Sequence, residues 1–336
     1  MKKEICLSVC NISSPERLDS YIVKNYGDIS RSQLKNGIQS IFLNGKNAKL
    51  SSKVKNGDEI KVIWEEMSIA EDLKNAMQAE NIPLKILYED ENVCVINKKQ
   101  GMVVHPACGN WSGTLVNALL YHFDKSMNSA PELATPELAS DEHTMQVAEE
   151  AIIRPGIVHR LDKDTSGTII TAKNAKTTEY LKSQFFLHRV KKEYIAICKG
   201  VPKEKSGNIK LNIVRDSRDR KKFTTTTDSE KGKFSHTVYK CIASYGSYSL
   251  IKCRLKTGRT HQIRVHLKAI GCPILGDPIY GTKDALFPDA TLMLHSSLLS
   301  IRLPNHDDFS TFKSPTPARF KKVMKTLKQK YNKIRY

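Results

Sequence analysis

The sequence predicts an α/β chain of the α+β kind, divided into a small N-terminal unit and a larger one. Length is one reason: 336 residues, 40% of them hydrophobic and 26% charged, suit about two globular domains. Periodicity is another, because short stretches with apolar residues three and four apart alternate with β-type runs closed by turn dipeptides. The third is that no apolar run approaches the roughly 18 residues of a membrane span, so the apolar residues must be buried in the chain's own cores.

The first unit is expected over residues 1–66. Its opening, MKKEICLSVC, carries two lysines and a short apolar patch without a cleavage site, and reads as a strand and not as a signal peptide. RLDSYIVKNY (17–26) has a helical period in Leu18, Tyr21, Ile22 and Tyr26. ISRSQLKNGIQS (29–40) reads as a second helix with Ser30 as N-cap. Asn44-Gly45 and Asn56-Gly57-Asp58 are turns between strand-like runs, the last of which is EIKVIW. On the second helix Arg31 and Lys35 stand four apart on one face, where they could meet successive phosphates. Arg17-Leu18-Asp19, Ser30 to Leu34, Asn44-Gly45-Lys46 and Gly57-Asp58 together resemble an S4 RNA-binding domain. That resemblance implies RNA contact by the Arg31 and Lys35 face.

Residues 67–81 are a linker, and the larger unit is expected over 82–316. It opens with two strands about a DEN turn, marked by Leu84, Ile86, Val93, Val95 and Ile96, and continues into the helix LVNALLYHF (115–123). Composition then changes abruptly. Residues 127–151 hold six acids, no Lys or Arg, and an APELA-TPELA repeat, a segment too polar to offset its ordering entropy. It is expected to be a mobile surface insertion; the alternative is an acidic gate that competes with RNA for a basic cleft. Residues 317–336 carry eight Lys or Arg and no acid. Phe320, Val323, Met324, Leu327, Tyr331 and Ile334 recur there at helical spacing, a basic helix packed by one face.

The formal net charge of +19 favours a polyanionic partner, and nucleic acid ranks ahead of an anionic membrane surface. The eight cysteines include no C-x-x-C pair, which argues against a zinc ribbon or a disulfide framework and for reduced thiols in a cytoplasm. His261 and His266, five apart with no Cys or carboxylate beside them, are poor metal ligands. No metal is expected.

Three stretches of the larger unit combine ionisable and turn residues. In GIVHRLDKDTSGTII (156–170) Arg160 and two carboxylates, Asp162 and Asp164, lie between the apolar pairs Ile157-Val158 and Ile169-Ile170. A turn alone needs no arginine there. VKKEYIAICKGVP (190–202) is a strand with Tyr194, Ala196 and Cys198 on one face. RLKTGRTHQIRVHLKAIGCPILGDPIYG (254–281) leads from the Thr257-Gly258 turn into a helix expected to carry Arg259, His261, Arg264 and His266, and closes in Gly276-Asp277-Pro278.

In that order the three resemble the motifs of the RluA-type pseudouridine synthases. His159 to Gly167 matches HRLD-x-x-T-S-G, Lys192 to Gly200 matches K-x-Y-x-A-x-x-x-G, and Thr257 to Leu267 matches TGR-T-H-Q-I-R-V-H-L. The resemblance implies a catalytic domain around a mixed, largely antiparallel sheet with a central cleft, and isomerisation of RNA uridine to pseudouridine without cofactor or metal. It implies Asp162 as the catalytic aspartate, Arg264 as its paired arginine, Tyr194 as the tyrosine against the base, and Arg160 as the side chain that fills the gap left by the flipped uridine. Ribosomal large-subunit RNA is the expected substrate, transfer RNA the alternative, and a monomer is expected. A non-catalytic RNA-binding or ribosome-assembly factor is the competing class, and intact Asp162, Tyr194 and Arg264 oppose it. A glycosidase acting through Asp162 and Asp164 would want an aromatic-rich sugar cleft, which two tryptophans and 7% aromatics do not suggest. His159, His261 and His266 are read as structural hydrogen-bonders, and Asp277 and Tyr280 as fold-stabilising.

Overall fold

Alternation of inward and outward residues begins at once in β1 (Lys2–Ser8), where Ile5 is buried between exposed neighbours. In the computed structural model the described residues are 2–26, 34, 38–65, 78–106, 110–126, 156–219, 222–228, 230–331 and 333–335. They fall into two units, Met1–Asn75 and Ala76–Tyr336. In the first, β2 (Glu16–Arg17) leads into α1 (Leu18–Tyr26), followed by β3 (Ile38–Leu43), β4 (Lys46–Asn47), β5 (Lys53–Val54) and β6 (Glu59–Glu65). A four-stranded sheet has the order β1-β6-β3-β4, and β2 pairs with β5. The period read in 17–26 is the buried stripe of α1: Leu18, Tyr21 and Ile22 pack with Ile5, Leu34, Val54, Val62 and Trp64. The turn residues are tied by their side chains. Asp58 accepts from Asn44 Nδ2 and from the Lys55 amide, both at 2.9 Å. Arg17 is engaged with Asp19, at 3.0 and 2.9 Å. The expected helix over 29–40 is corrected at its end, since β3 begins at Ile38 to pair with β6. Arg31 and Lys35 lie outside the described residues.

The larger unit is organised by a sheet that strands distant in sequence complete. Its strands are β7 (Ile86–Glu89), β8 (Val93–Lys98), β9 (Ser166–Ala172), β10 (Lys191–Lys199), β11 (Ser206–Arg215), β12 (Phe223–Thr226), β13 (Lys233–Tyr245), β14 (Tyr248–Leu255), β15 (Leu294–Arg302), β16 (Phe309–Lys313) and β17 (Lys333–Arg335). Among the described residues they form one 11-stranded sheet in the order β12-β11-β13-β14-β10-β15-β9-β8-β7, with β16 on β15 and β17 on β13. Pairing is antiparallel except where β15 meets β9. The helices are α2 (Leu115–Ser126), α3 (Ala175–Phe186), α4 (Gln262–Ala269) and α5 (Ala318–Lys330).

Both faces of β8 and β9 are covered. Cys94, Ile96 and Ile169 enter one core with Tyr194, Ile251, Leu267 and Phe320, while Val93, Val95, Ile170 and Ala172 enter a second with Leu181 and Leu299. All seven residues of β9 are buried, the mark of a strand packed on two sides. The DEN turn holds because the Asp90 carboxylate accepts from the Asn92 and Val93 amides. The C-terminal helix is shorter than its spacing suggests: α5 stops at Lys330, and Ile334 belongs to β17, which pairs with β13. The acidic segment 127–151 lies outside the described residues, and no helix among them is long and apolar enough to cross a membrane.

Two core histidines are held neutral. His266 meets Ser235 Oγ at 2.8 Å and Thr237 Oγ1 at 2.9 Å, and His295 meets Ser166 Oγ at 2.9 Å. Burial pulls both down to about 4. The unfolded chain takes up protons near pH 6.5 that these sites refuse, so their stability is complete above about 6.5 and is lost as pH falls toward 4. The unfolding free energy from urea titration should therefore drop between pH 7.5 and 5.0, by about 2 kcal/mol for each histidine that titrates this way, with the midpoint falling accordingly. A midpoint flat over that interval would show that these imidazoles do not resist protonation.

Candidate active site

The segment 156–167 runs from one edge of β9 into β9 itself, and its charges sit in the bend. Ile157 bridges Thr171, and the Ala172 amide donates to the Gly156 carbonyl at 2.9 Å, so the outward and returning limbs lie side by side. The first apolar pair thus makes an isolated bridge where a full strand would be expected. His159 anchors the outward limb. Its Nε2 accepts from the Ile170 amide at 3.0 Å, and its ring stacks on Phe185 at 4.5 Å. Burial pushes its pKa down to about 3, which keeps it a neutral acceptor.

Beyond His159, Leu161 is buried in the core and Asp162 turns toward a cavity. The Thr165 amide closes the turn on the Asp162 carbonyl. Lys98, buried at the end of β8, donates to the carbonyls of Lys99 (3.1 Å), Met102 (2.8 Å) and Lys163 (3.0 Å), and the Gly101 amide also reaches the Lys163 carbonyl. Burial brings the Lys98 ammonium down to about 7, while Asp162 and Asp164 pull it the other way. On the returning limb Ser166 accepts from Arg319 Nη2 of α5 at 2.7 Å. Gly167, at φ 116°, passes so close to the Ser296 carbonyl of β15 that a Cβ would overlap it.

The wall opposite Asp162 is α4. The expectation that Arg259 and His261 ride on this helix is corrected, because it begins at Gln262 and His261 is its N-cap at φ 56°. The Gln262 side chain shapes the entry by accepting from Thr257 Oγ1 and the Arg259 amide, both at 2.9 Å. Arg264, 4% exposed, is forked by Asp277 through Nε (2.7 Å) and Nη2 (2.8 Å), which leaves Nη1 facing Asp162 Oδ2 at 3.5 Å. Burial opposes both charges of the fork; the pairing overrides it, holding Arg264 above and Asp277 below their ordinary values. Asp277 Oδ1 also accepts from the Ile279 and Tyr280 amides.

His261 and Tyr280 complete the wall. The Tyr280 oxygen accepts from the Phe223 amide at 2.9 Å and lies 2.8 Å from His261 Nδ1. His261 Nε2 lies 3.9 Å from Asp162 Oδ2. Burial lowers the His261 pKa, with Asp162 pulling it back up.

Tyr194 comes from β10, where register against β15 shifts between Glu193 and Tyr194 so that Ser297 is bulged out. The ring is 6% exposed, and burial raises the phenol's pKa, only partly offset by a hydrogen bond with Ser296. Asp162, Tyr194, Arg264, Arg160, His261 and Lys192 line one cavity of about 490 Å³. Arg160 is exposed at this cavity, whereas Asp162 keeps 21% of its side chain accessible. The structure therefore brings together four of the six residues singled out from sequence. Arg31 and Lys35 lie outside the described residues.

Asp277 and His261 were the residues the sequence undersold. A Gly-Asp-Pro turn explains an Asp well enough by itself; only the fold shows that its carboxylate faces a buried cation. The available signal was Arg264 on the apolar stripe of a helix, a buried arginine that needs an acid. Away from the cavity, ligand atoms of Glu89, Cys94 and His122 lie within 4.8 Å of one another. Lys173 already occupies Glu89 at 2.9 Å, and burial pushes the Cys94 thiol up to about 12, so the group favours an ion-pair network over a metal ion.

Comparison with known proteins points one way. The profile of the RNA pseudouridylate synthase family matches residues 92–269, which include Asp162, Tyr194 and Arg264. The chain is 43% identical over 308 residues to the ribosomal large subunit pseudouridine synthase D of Borreliella burgdorferi, covering 90% of this chain and 87% of that one. It is 34% identical over 328 residues to the RNA pseudouridine synthase YlyB of Bacillus subtilis, covering 97% and 99%. Human RNA pseudouridylate synthase domain containing 4 superposes with a TM-score of 0.52 at 25% identity, over 73% of this chain and 93% of that one.

Asp277→Asn keeps the shape of the fork and removes its charge. The variant should lose about 3 kcal/mol of stability, as when one member of a buried pair is deleted. At a temperature where it remains folded, turnover should fall about 100-fold with KM little changed, because Arg264 is free to shift from Asp162. Wild-type turnover in the folded variant would reduce Asp277 to a purely structural role.

Proposed function

The chain belongs to the RNA pseudouridylate synthase family, and on that premise we propose that it isomerises selected uridines of large-subunit ribosomal RNA with Asp162 as the essential group. One observation carries the assignment of the site: the half-buried Asp162 carboxylate faces the Arg264 guanidinium at 3.5 Å in a cavity that Tyr194 and Arg160 also line. The ribosomal substrate is supported by the likeness to the ribosomal large subunit pseudouridine synthase D of Borreliella.

The chemistry is an internal exchange of bonds. The C1′–N1 bond breaks, the uracil turns, C1′ bonds to C5, the C5 proton leaves and N1 gains one. A carboxylate serves this reaction by attacking C1′ or by removing the 2′ proton. Either route uses Asp162 as a carboxylate, and the Arg264 guanidinium stands 3.5 Å from it. Tyr194 stays a neutral phenol at ordinary pH, since burial raises its pKa. We therefore give it the task of stacking on the uracil and do not make it the source of a phenolate base. Arg160, exposed at the cavity, is placed to fill the gap in the RNA once the uridine is flipped, a step that costs a few kcal/mol.

The first unit is assigned RNA affinity of the S4 type, with Arg31 and Lys35 as the contact residues. The net charge of +19 supports an electrostatic share in that affinity, in a cytoplasm where the thiols stay reduced.

The first test is tritium release from 5-tritiated uridine in an unmodified 23S rRNA transcript. Wild type should release tritium and Asp162→Ala should not. Release from transfer RNA alone would move the substrate and leave the chemistry standing; release by Asp162→Ala would remove the assigned residue. Affinity for the same transcript should fall about a thousandfold between 50 and 200 mM salt, and a flat profile would defeat the electrostatic assignment.

A further inference from the structure

Phe185 and Phe186 are chain neighbours at the end of α3 with opposite surroundings. Phe185 turns inward, where its ring stacks on His159 and lies 5.6 Å from Lys192 Nζ. Phe186 is 82% exposed, yet it lines the active cavity with Arg160 and Arg259. An exposed phenylalanine forgoes most of the stabilisation its burial would bring. Here the backbone holds it in that position. The His188 amide donates to the Phe185 carbonyl (3.2 Å) and the Arg189 amide to the Gln184 carbonyl (3.0 Å), closing the helix in a Schellman turn. That turn puts His188 at φ 54°, a left-handed conformation usually left to glycine. The ring is thus displayed from a capped helix end whose other phenylalanine is pinned to the loop that carries Arg160 and Asp162.

We propose that Phe186 is a stacking platform for a nucleobase next to the uridine that enters the cavity. A flat apolar ring at the mouth of a cation-lined cavity matches a base on a phosphate chain, whose π-face needs the ring and whose backbone needs Lys192 and Arg259. The inference builds on the pseudouridine synthase reading. Flipping a uridine leaves its neighbours unstacked, and a fixed ring gives one of them a new face.

The test compares full-length wild type with Phe186→Ala, Phe186→Leu and Phe186→Trp. Binding is read with a labelled twelve-nucleotide oligouridylate at constant salt, and turnover by tritium release from the 23S transcript. Phe186→Ala should weaken oligouridylate binding about tenfold and raise KM similarly, with kcat kept and the unfolding midpoint unchanged. Phe186→Trp should restore binding and show tryptophan quenching when RNA is added, while Phe186→Leu should stay as weak as alanine. Equal affinity of wild type and Phe186→Ala, or rescue by leucine as full as by tryptophan, overturns the proposal. Absence of tritium release from the wild type would instead count against the isomerase substrate assigned above, and the binding series would still decide the role of Phe186.

Discussion

A guanidinium with almost no solvent sets the terms for the rest of the catalytic unit. Arg264 cannot be buried on α4 without counter-charge, because desolvating it alone would cost several kcal/mol. Asp277 satisfies two of its nitrogens in a planar fork, and the third is left to a longer contact with Asp162. The asymmetry is useful. The tight pair holds the arginine still, and the loose one leaves the Asp162 oxygen accessible to substrate. Everything that reaches this point has to be positioned by the fold: α4 through the Gln262 entry, the Asp277 turn through its backbone amides, and the Asp162 bend through β8 and β9.

Besides the core packing of Leu161 and the stacking of His159 on Phe185, the bend is held by donors aimed at carbonyl and hydroxyl oxygens. Lys98 and the Gly101 amide share the Lys163 carbonyl, and Arg319 reaches Ser166 from a helix at the other end of the chain. Both cations act as clamps on backbone and hydroxyl oxygens and fix the polar part of the loop. The neutral histidines follow the same logic, since His159, His266 and His295 serve as hydrogen-bonding struts where a charged ring would be costly.

What could be read from sequence was whatever leaves a local trace. The α1 stripe, the DEN turn, the strand around Tyr194 and the motif residues Asp162, Tyr194 and Arg264 all carry such traces, and the last three converge on one cavity. Element ends were less legible. Period 3.6 cannot tell a helix from the strand that follows it when apolar residues continue, so Ile38 and Ile334 were drawn into helices. The Thr257-Gly258 turn marks where the strand ends but not where the helix begins: the Gln262 side chain takes up the Arg259 amide and starts the helix at Gln262. Tertiary partnerships are fainter still. Arg264 on an apolar stripe calls for an acid without naming Asp277, and Arg319 meets Ser166 across 153 positions of sequence.

The sheet order has a temporal side. β15, residues 294–302, is the strand that joins β9 to β10, and so links the bend that bears Asp162 to the strand that bears Tyr194. Both partners precede it by about a hundred residues or more. During vectorial synthesis the two halves of the sheet would emerge long before the strand that unites them, a high-contact-order closure of the kind that folds slowly. A nascent chain of this protein, still attached to the ribosome that is making it, therefore has no assembled catalytic cavity until β15 has been translated.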